Sequence, residues 1–269
     1  MIGTALSISS LVVLLLAACN GSSSSGTRLT VLAASSLREV LPQIGALFTE
    51  EHAGVTFSFS FGGTDQLATQ IKEGAPADVF AGASTKYGDQ LASAGLIDPY
   101  VSFCTNRLVL VVPTANPAGI STLLDLSSKP AKLVVGSESV PIGAYTRAVL
   151  MNLSGLYGSS YSEAVLGKVV SNEDSAASIV AKVGSGEADA GFVYVTDARA
   201  ADSNVQSIPL PSQAQAVAVY PIAVVGASKN ATEARQLVEF VLSAPAQQLL
   251  EQAGFGPPPV SLGGLGAGA

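Results

Sequence analysis

Charge is scarce in this chain. Only 12% of its 269 residues are Asp, Glu, Lys or Arg, and the formal net charge is −7. The 13 Lys and Arg form no cluster, so no basic face is offered to a phosphate backbone and nucleic acid is excluded as a partner. Any anion the chain binds is therefore not held by a basic surface. Histidine is almost absent: His52 is the single one, at the Glu-rich end of a predicted helix, and it is expected to be exposed. One such ring supplies neither a His/Cys metal cluster nor a base poised beside a serine nucleophile. Asp65, Asp78 and Asp189 are the acid–base candidates, but nothing pairs them, and Asp78 and Asp189 sit in turn-to-strand contexts that read as structural. These shortages argue against an enzyme, a direct metal ligand set or a cofactor.

Cysteine is nearly absent too, with two in the chain. Residues 1–18 hold no ionisable side chain, and 5–18 form an apolar stretch (ALSISSLVVLLLAA). That stretch is shorter than the roughly 20 residues a membrane span requires, so it reads as an export signal peptide, 1–18. The Lys or Arg usual ahead of such a core is lacking, which points to a natural start further upstream. The signal ends in Leu16-Ala17-Ala18-Cys19, which resembles the lipobox of bacterial lipoproteins and implies a lipid on Cys19. Residues 19–27, with the Gly/Ser run NGSSSSG, then read as a flexible tether from that lipid to a folded body. Cys104 remains alone, so no internal disulfide is available and a buried structural thiol is expected. The Pro/Gly-rich end, 257–269, has nothing to bury and reads as a disordered tail.

What is there is an alternation of strand-like and helix-like segments, the pattern of an α/β fold. Strands are predicted at 29–32, 55–61, 78–81, 108–112, 133–135, 190–195 and 217–225, and helices at 36–51, 65–73, 87–94, 143–153, 175–183, 232–242 and 245–253. Pro221 within one strand points to an edge or a bend. No short-period repeat is present. The strong strands at 107–112 and 217–225 bracket the middle third, so the chain is expected to cross to a second domain at one and return at the other. Two α/β domains joined by two strands make a cleft that closes on a ligand.

The run LTVLAASSLRE (29–39) is the most informative segment. A buried strand ends in small residues, and Ser36 stands three residues before Glu39, the capping-box spacing. Ser36 is thereby expected at a helix N-terminus, where open α/β folds bind anions. Thr64, Ile142 and Ser175 also fall at predicted helix N-termini, which offer unpaired N–H groups and a partial positive charge. Taken alone, each hydroxyl among them reads equally as a plain cap, and Tyr194 as a half-buried strand aromatic.

The segments Ala33-Ala34-Ser35-Ser36-Leu37, Gly74-Ala75-Pro76-Ala77-Asp78-Val79-Phe80, Val140-Pro141-Ile142-Gly143, Glu173-Asp174, Ala188-Asp189-Ala190-Gly191-Phe192-Val193-Tyr194 and Tyr220-Pro221-Ile222-Ala223-Val224 occur in an order and spacing that resemble the periplasmic molybdate-binding proteins of ABC importers. The resemblance runs from about Leu29 to Phe255. It implies a two-lobed periplasmic-binding-protein fold of type II, with 28–107 and 217–256 as lobe 1 and 108–216 as lobe 2. It also implies that an oxyanion, molybdate and by extension tungstate, is held by neutral donors: the hydroxyls of Ser36 and Thr64, the backbone N–H groups of Ile142 and near Ser175, and the phenol of Tyr194. The metal is then reached only through its oxygens, with no direct protein ligands. A monomeric, lipid-anchored protein on the extracytoplasmic face, partnered with the membrane subunits of a permease, follows from the same resemblance. The alternative is a binding protein for another oxyanion such as sulfate, or for a different small solute.

Overall fold

The structure is a computed structural model that describes residues 26–259. The expected signal peptide, the lipidation site Cys19, the tether up to residue 25 and residues 260–269 of the tail lie outside the described residues. Along the chain run β1 (Thr27–Ala34), α1 (Leu41–Glu51), β2 (Val55–Gly62), α2 (Thr64–Lys72), β3 (Val79–Ala81), α3 (Thr85–Ser93), β4 (Val101–Asn106), β5 (Leu108–Pro113), α4 (Asp125–Ser128) and β6 (Leu133–Gly136). There follow α5 (Pro141–Tyr157), α6 (Tyr161–Leu166), β7 (Val169–Glu173), α7 (Ala176–Gly184), β8 (Ala190–Tyr194), α8 (Val195–Ala201), β9 (Val205–Pro209), β10 (Ala218–Val224), α9 (Ala231–Phe240) and α10 (Ala244–Ala253).

The strands form two five-stranded sheets, ordered β2-β1-β3-β10-β4 and β7-β6-β8-β5-β9. Both follow one plan. In the first, β1 is parallel to β2 and β3, and β10 runs antiparallel to β3 and β4. In the second, β6 is parallel to β7 and β8, and β5 runs antiparallel to β8 and β9. The chain passes from one sheet to the other at Arg107, the single residue between β4 and β5, and returns between β9 and β10. The two sheets with their flanking helices make a two-lobed α/β fold of type II.

Local chemistry explains the elements. Leu108 to Val112 of β5 are all buried, as a strand covered on both faces requires. Phe57, Phe59 and Phe61 alternate along β2 and stack with ring centroids 5.4 and 5.8 Å apart. Pro221 lies inside the first sheet, and the ladder accommodates its missing N–H by a register shift between Tyr220 and Pro221, the expected bend rather than an edge. Cys104 is fully buried, and burial pushes its thiol well above the usual range.

Two expectations are corrected. The predicted helix at 36–51 does not start at Ser36: a 3-10 turn covers Ser35–Leu37 and α1 begins at Leu41 with Pro42 in its first turn. Pro lacks an N–H and is preorganised for that place, so the helix starts there and the Ser36–Glu39 capping box is not made. His52 is half-buried rather than exposed, stacked on Phe48 with centroids 3.9 Å apart.

The turn from β6 into α5 is packed too tightly for a side chain. A Cβ on Gly143 would come 1.9 Å from the Ser137 carbonyl oxygen and 2.4 Å from that of Gly136, both backbone atoms. Gly143→Ala is therefore expected to destabilise the fold by about 1–3 kcal/mol. Gly155→Ala, on the exposed part of the same helix with no atom within 4 Å of the added Cβ, is expected to stabilise by up to about 1 kcal/mol. Urea denaturation of the two variants checks this; equal stabilities would contradict it.

Candidate functional site

The parallel strands of both sheets point their C-terminal ends at a common cavity. Its lining follows those ends strand by strand: Ala34 to Ser36 after β1, Gly62 to Thr64 after β2, Ala83 after β3, Val140 to Ile142 after β6, Asp174 to Ala176 after β7, and Tyr194 at the end of β8. Ser36, Thr64, Ile142, Ser175 and Tyr194 are thus brought together. Open α/β sheets place ligands at such strand ends. The cavity is small, about 20 Å³.

Three helices start at this wall. Gly63 caps α2 in an extended conformation. In α5 Pro141 takes the first turn without an N–H, so Ile142 is the first residue to present one. Ser175 caps α7, its Oγ accepting from the Ser178 N–H at 3.2 Å. Each helix end leaves N–H groups without intrahelical acceptors and adds a fraction of positive charge. No Lys or Arg lines the cavity. Its one ionisable carboxylate, Asp174, is engaged elsewhere: Oδ2 accepts from Gln66 at 3.2 Å and Oδ1 from Ser178 at 3.0 Å. Those bonds hold it below the usual carboxylate range.

Three hydroxyls expected as donors stand at the cavity. Thr64 is buried, and its Oγ1 accepts from the Ala83 N–H at 3.0 Å, which leaves its hydrogen free. Ser36 Oγ lies 2.8 Å from the Tyr220 hydroxyl. The Tyr194 hydroxyl is buried and has no hydrogen-bond partner. Burial first, then Tyr220, Tyr145 and Asp197 nearby, raise the Tyr194 phenol well above its ordinary range, so it keeps its proton. Contacts between the lobes shut the cavity: Gln66 to Asp174, the Tyr87 hydroxyl to the Ser139 carbonyl, and Gly63 against the Asp174 carbonyl, where a Cβ would sit 2.5 Å away.

Of the remaining candidates, Asp65 lies in the first turn of α2 with its Oδ1 buried and unpartnered, and Asp78 and Asp189 are structural. Asp78 accepts from the Thr30 N–H at 2.7 Å and from Ser228 Oγ at 2.6 Å, and Asp189 accepts from the Lys132 N–H at 2.7 Å. Among the described residues no three His, Cys, Asp or Glu side chains come together to hold a metal ion. Sequence reasoning missed Tyr220, Asn106 and Asp197. Tyr220 stood inside a recognised segment, but strand alternation marks it only as buried. Asp197 opens no motif. It lies beside a larger groove of about 590 Å³ between the lobes, which Arg38, Gln43 and Arg199 also line.

Asp197 is only 9% exposed, its Oδ2 has no partner, and burial pushes its carboxyl up to about 7. The sign follows from linkage. The folded state holds this proton more tightly than the unfolded chain, whose Asp titrates near about 3.9. The associated stability is present below pH ~4 and is lost as pH rises towards 7. Asp197→Asn removes that loss, so the variant should gain on the parent between pH 4.5 and 8, by up to about 4 kcal/mol. Urea denaturation of both proteins at the two pH values checks this; a pH-independent difference would contradict it.

Comparison with known proteins shows the family and the fold. The family model described as bacterial extracellular solute-binding protein matches residues 29–256. The molybdate-binding protein ModA of Mycobacterium tuberculosis is 38% identical over 231 residues, 86% of this chain and 85% of that protein. ModA of Escherichia coli is 30% identical over 236 residues, 85% and 88% of the two chains. Among solved structures, the periplasmic molybdate-binding protein of Azotobacter vinelandii superposes with a TM-score of 0.73 at 22% identity, covering 86% of this chain and all of that one. The sulfate-binding protein SubI of Mycobacterium tuberculosis does so with 0.74 at 21% identity, covering 86% and 87%. Among the described residues no helix is long and apolar enough to cross a membrane. The chain belongs to the bacterial extracellular solute-binding proteins, a family of extracytoplasmic transport proteins and not of enzymes.

Proposed function

We propose that the protein captures molybdate, and tungstate equally, in the small cavity between its lobes and delivers it to an ABC permease. Residues 28–107 and 217–256 form one lobe and 108–216 the other in this reading. A lipid on Cys19 tethers a monomer to the extracytoplasmic face of the membrane. The observation that carries the reading is the Tyr194 hydroxyl: a buried phenol without a partner, on a cavity where three helix N-termini converge and no cation is present. A buried polar group left unpaired costs about 1–3 kcal/mol, and a compact, fully deprotonated oxyanion would give it an acceptor. Relatives at 38% and 30% identity that bear the name molybdate-binding protein support the choice of oxyanion.

The same donors also suit sulfate, which is likewise unprotonated. Only its smaller size acts against it, because donors fixed on closed lobes stand too far away. Phosphate at neutral pH brings a proton that requires an acceptor, and the site groups are donors. Calorimetric titration is expected to give similar affinities for molybdate and tungstate, far weaker sulfate binding and negligible phosphate binding. Ser36→Ala and Thr64→Ala should each weaken molybdate roughly ten- to hundredfold, the worth of a hydrogen bond to a charged group, and Tyr194→Phe should act in the same direction. Phosphate binding within tenfold of molybdate, or three variants that bind like the parent, would overturn the reading.

A further inference from the structure

Beneath the cavity wall runs a chain of hydrogen bonds whose direction is fixed at Asn106. The Arg107 N–H donates to Asn106 Oδ1 at 2.9 Å. That fixes which end of the amide is oxygen, so Asn106 Nδ2 donates, to Thr196 Oγ1 at 2.9 Å and to the Tyr220 hydroxyl at 3.4 Å. The Tyr220 hydroxyl lies 2.8 Å from Ser36 Oγ, and with a hydrogen already arriving from Asn106 it is placed to donate its own there. Ser36 is then an acceptor on its inner side, and its own hydrogen is left for the cavity.

Tyr220 is well held for this. It is fully buried, and Phe103, Tyr194 and Phe255 lie edge-on around its ring with centroids 6.3, 6.1 and 5.4 Å away. It is absent from the cavity lining, so it touches no ligand there. Asn106 ends β4 at the crossing between the lobes and is 1% exposed. The second hydroxyl is oriented in the same way by a group that can only donate, the Ala83 N–H on Thr64 Oγ1.

We propose that Tyr220, set by Asn106, is a positioning residue that fixes Ser36 as a hydrogen-bond donor and so makes the site select oxyanions by protonation state. The inference rests on the oxyanion reading above. A free serine hydroxyl turns to accept as readily as to donate, and would tolerate the proton of monohydrogen phosphate. With Tyr220 occupying one of its two lone pairs, Ser36 is biased to donate toward the oxyanion and meets that proton with its own. The relay therefore governs the ratio of molybdate to phosphate affinity more than molybdate affinity itself.

The test is a double-mutant cycle on Tyr220→Phe and Ser36→Ala, with molybdate titrated calorimetrically and phosphate measured as its competitor at pH 8. Tyr220→Phe should weaken molybdate by no more than about threefold, the low end for one neutral hydrogen bond, and lower the molybdate-to-phosphate ratio by about tenfold. In the Ser36→Ala background the same substitution should leave the ratio within about twofold, because coupled residues are non-additive. Asn106→Ala, which keeps the tyrosine ring in place, should lower the ratio in the same direction and carries the test if Tyr220→Phe does not fold. An unchanged ratio in the single variant, or an equal effect with and without Ser36, overturns this inference and leaves the oxyanion reading standing. A parent protein that binds neither anion overturns both.

Discussion

A charge taken out of water must be met by something, and the small cavity has no Lys or Arg in its lining to meet an anion, only the fractional charges of helix ends. Three helices begin at the cavity, and each leaves backbone N–H groups unspent there. Everything else in the architecture serves that convergence. Parallel strands deliver the chain to one side of each sheet, and the repeated plan β2-β1-β3 and β7-β6-β8 turns two such sides toward each other. Glycine permits the close approach: Gly63 meets the Asp174 carbonyl across the lobes, and Gly143 packs against Gly136 and Ser137. A cationic side chain would attract an anion more strongly but would read only its charge. Fixed dipoles read position, so size and protonation state become the discriminating properties.

Below the dipoles lies an aromatic and polar layer. Tyr145, Tyr194 and Tyr220 meet edge to face, with Tyr145–Tyr194 and Tyr194–Tyr220 centroids 6.5 and 6.1 Å apart. Burial raises all three phenols above their ordinary range, which keeps them protonated and able to donate. Tyr194 lines the cavity with its hydroxyl unpaired, and the Tyr220 hydroxyl pairs with Ser36. The layer spans both lobes, since Tyr220 belongs to the first sheet and Tyr194 to the second. Cleft closure and hydroxyl orientation are therefore properties of one packed unit.

Much of this was legible in the chain. The apolar strands at 29–32 and 108–112 fall within β1 and β5, and 190–195 covers β8 and overruns it by the one residue that opens α8, because burial on both faces writes a continuous apolar run. Strands β7 and β9 were not legible. They are sheet edges, VVSNE and VQSIP, largely solvent-facing and polar, and edges carry no such run. Ser175 was legible as a cap and is one. Ser36 was expected to open the helix and does not: Pro42 sets the start of α1, Ser36 lies in a 3-10 turn, and its hydroxyl meets Tyr220, 184 residues away. No local spacing encodes a contact of that range. Ile142 and Tyr194 emerged only from the family resemblance, because a backbone N–H leaves no mark on residue choice and a strand tyrosine reads as core. The common plan of the two sheets leaves no sequence repeat either, since it resides in connection order rather than in side chains.

The central claim is that neutral donors from both lobes hold the anion without a counter-charge, and heavy-atom diffraction addresses it most directly. In crystals grown with tungstate at neutral pH, the anomalous signal of the metal locates the ion independently of any interpretation of the protein. The account predicts one strong peak in the small cavity, with oxygens in hydrogen-bond reach of Ser36, Thr64 and Tyr194 and of the N–H groups at Ile142 and Ser175. A peak in the larger groove beside Arg38 and Arg199, or a guanidinium or ammonium in contact with the bound oxygens, would contradict it.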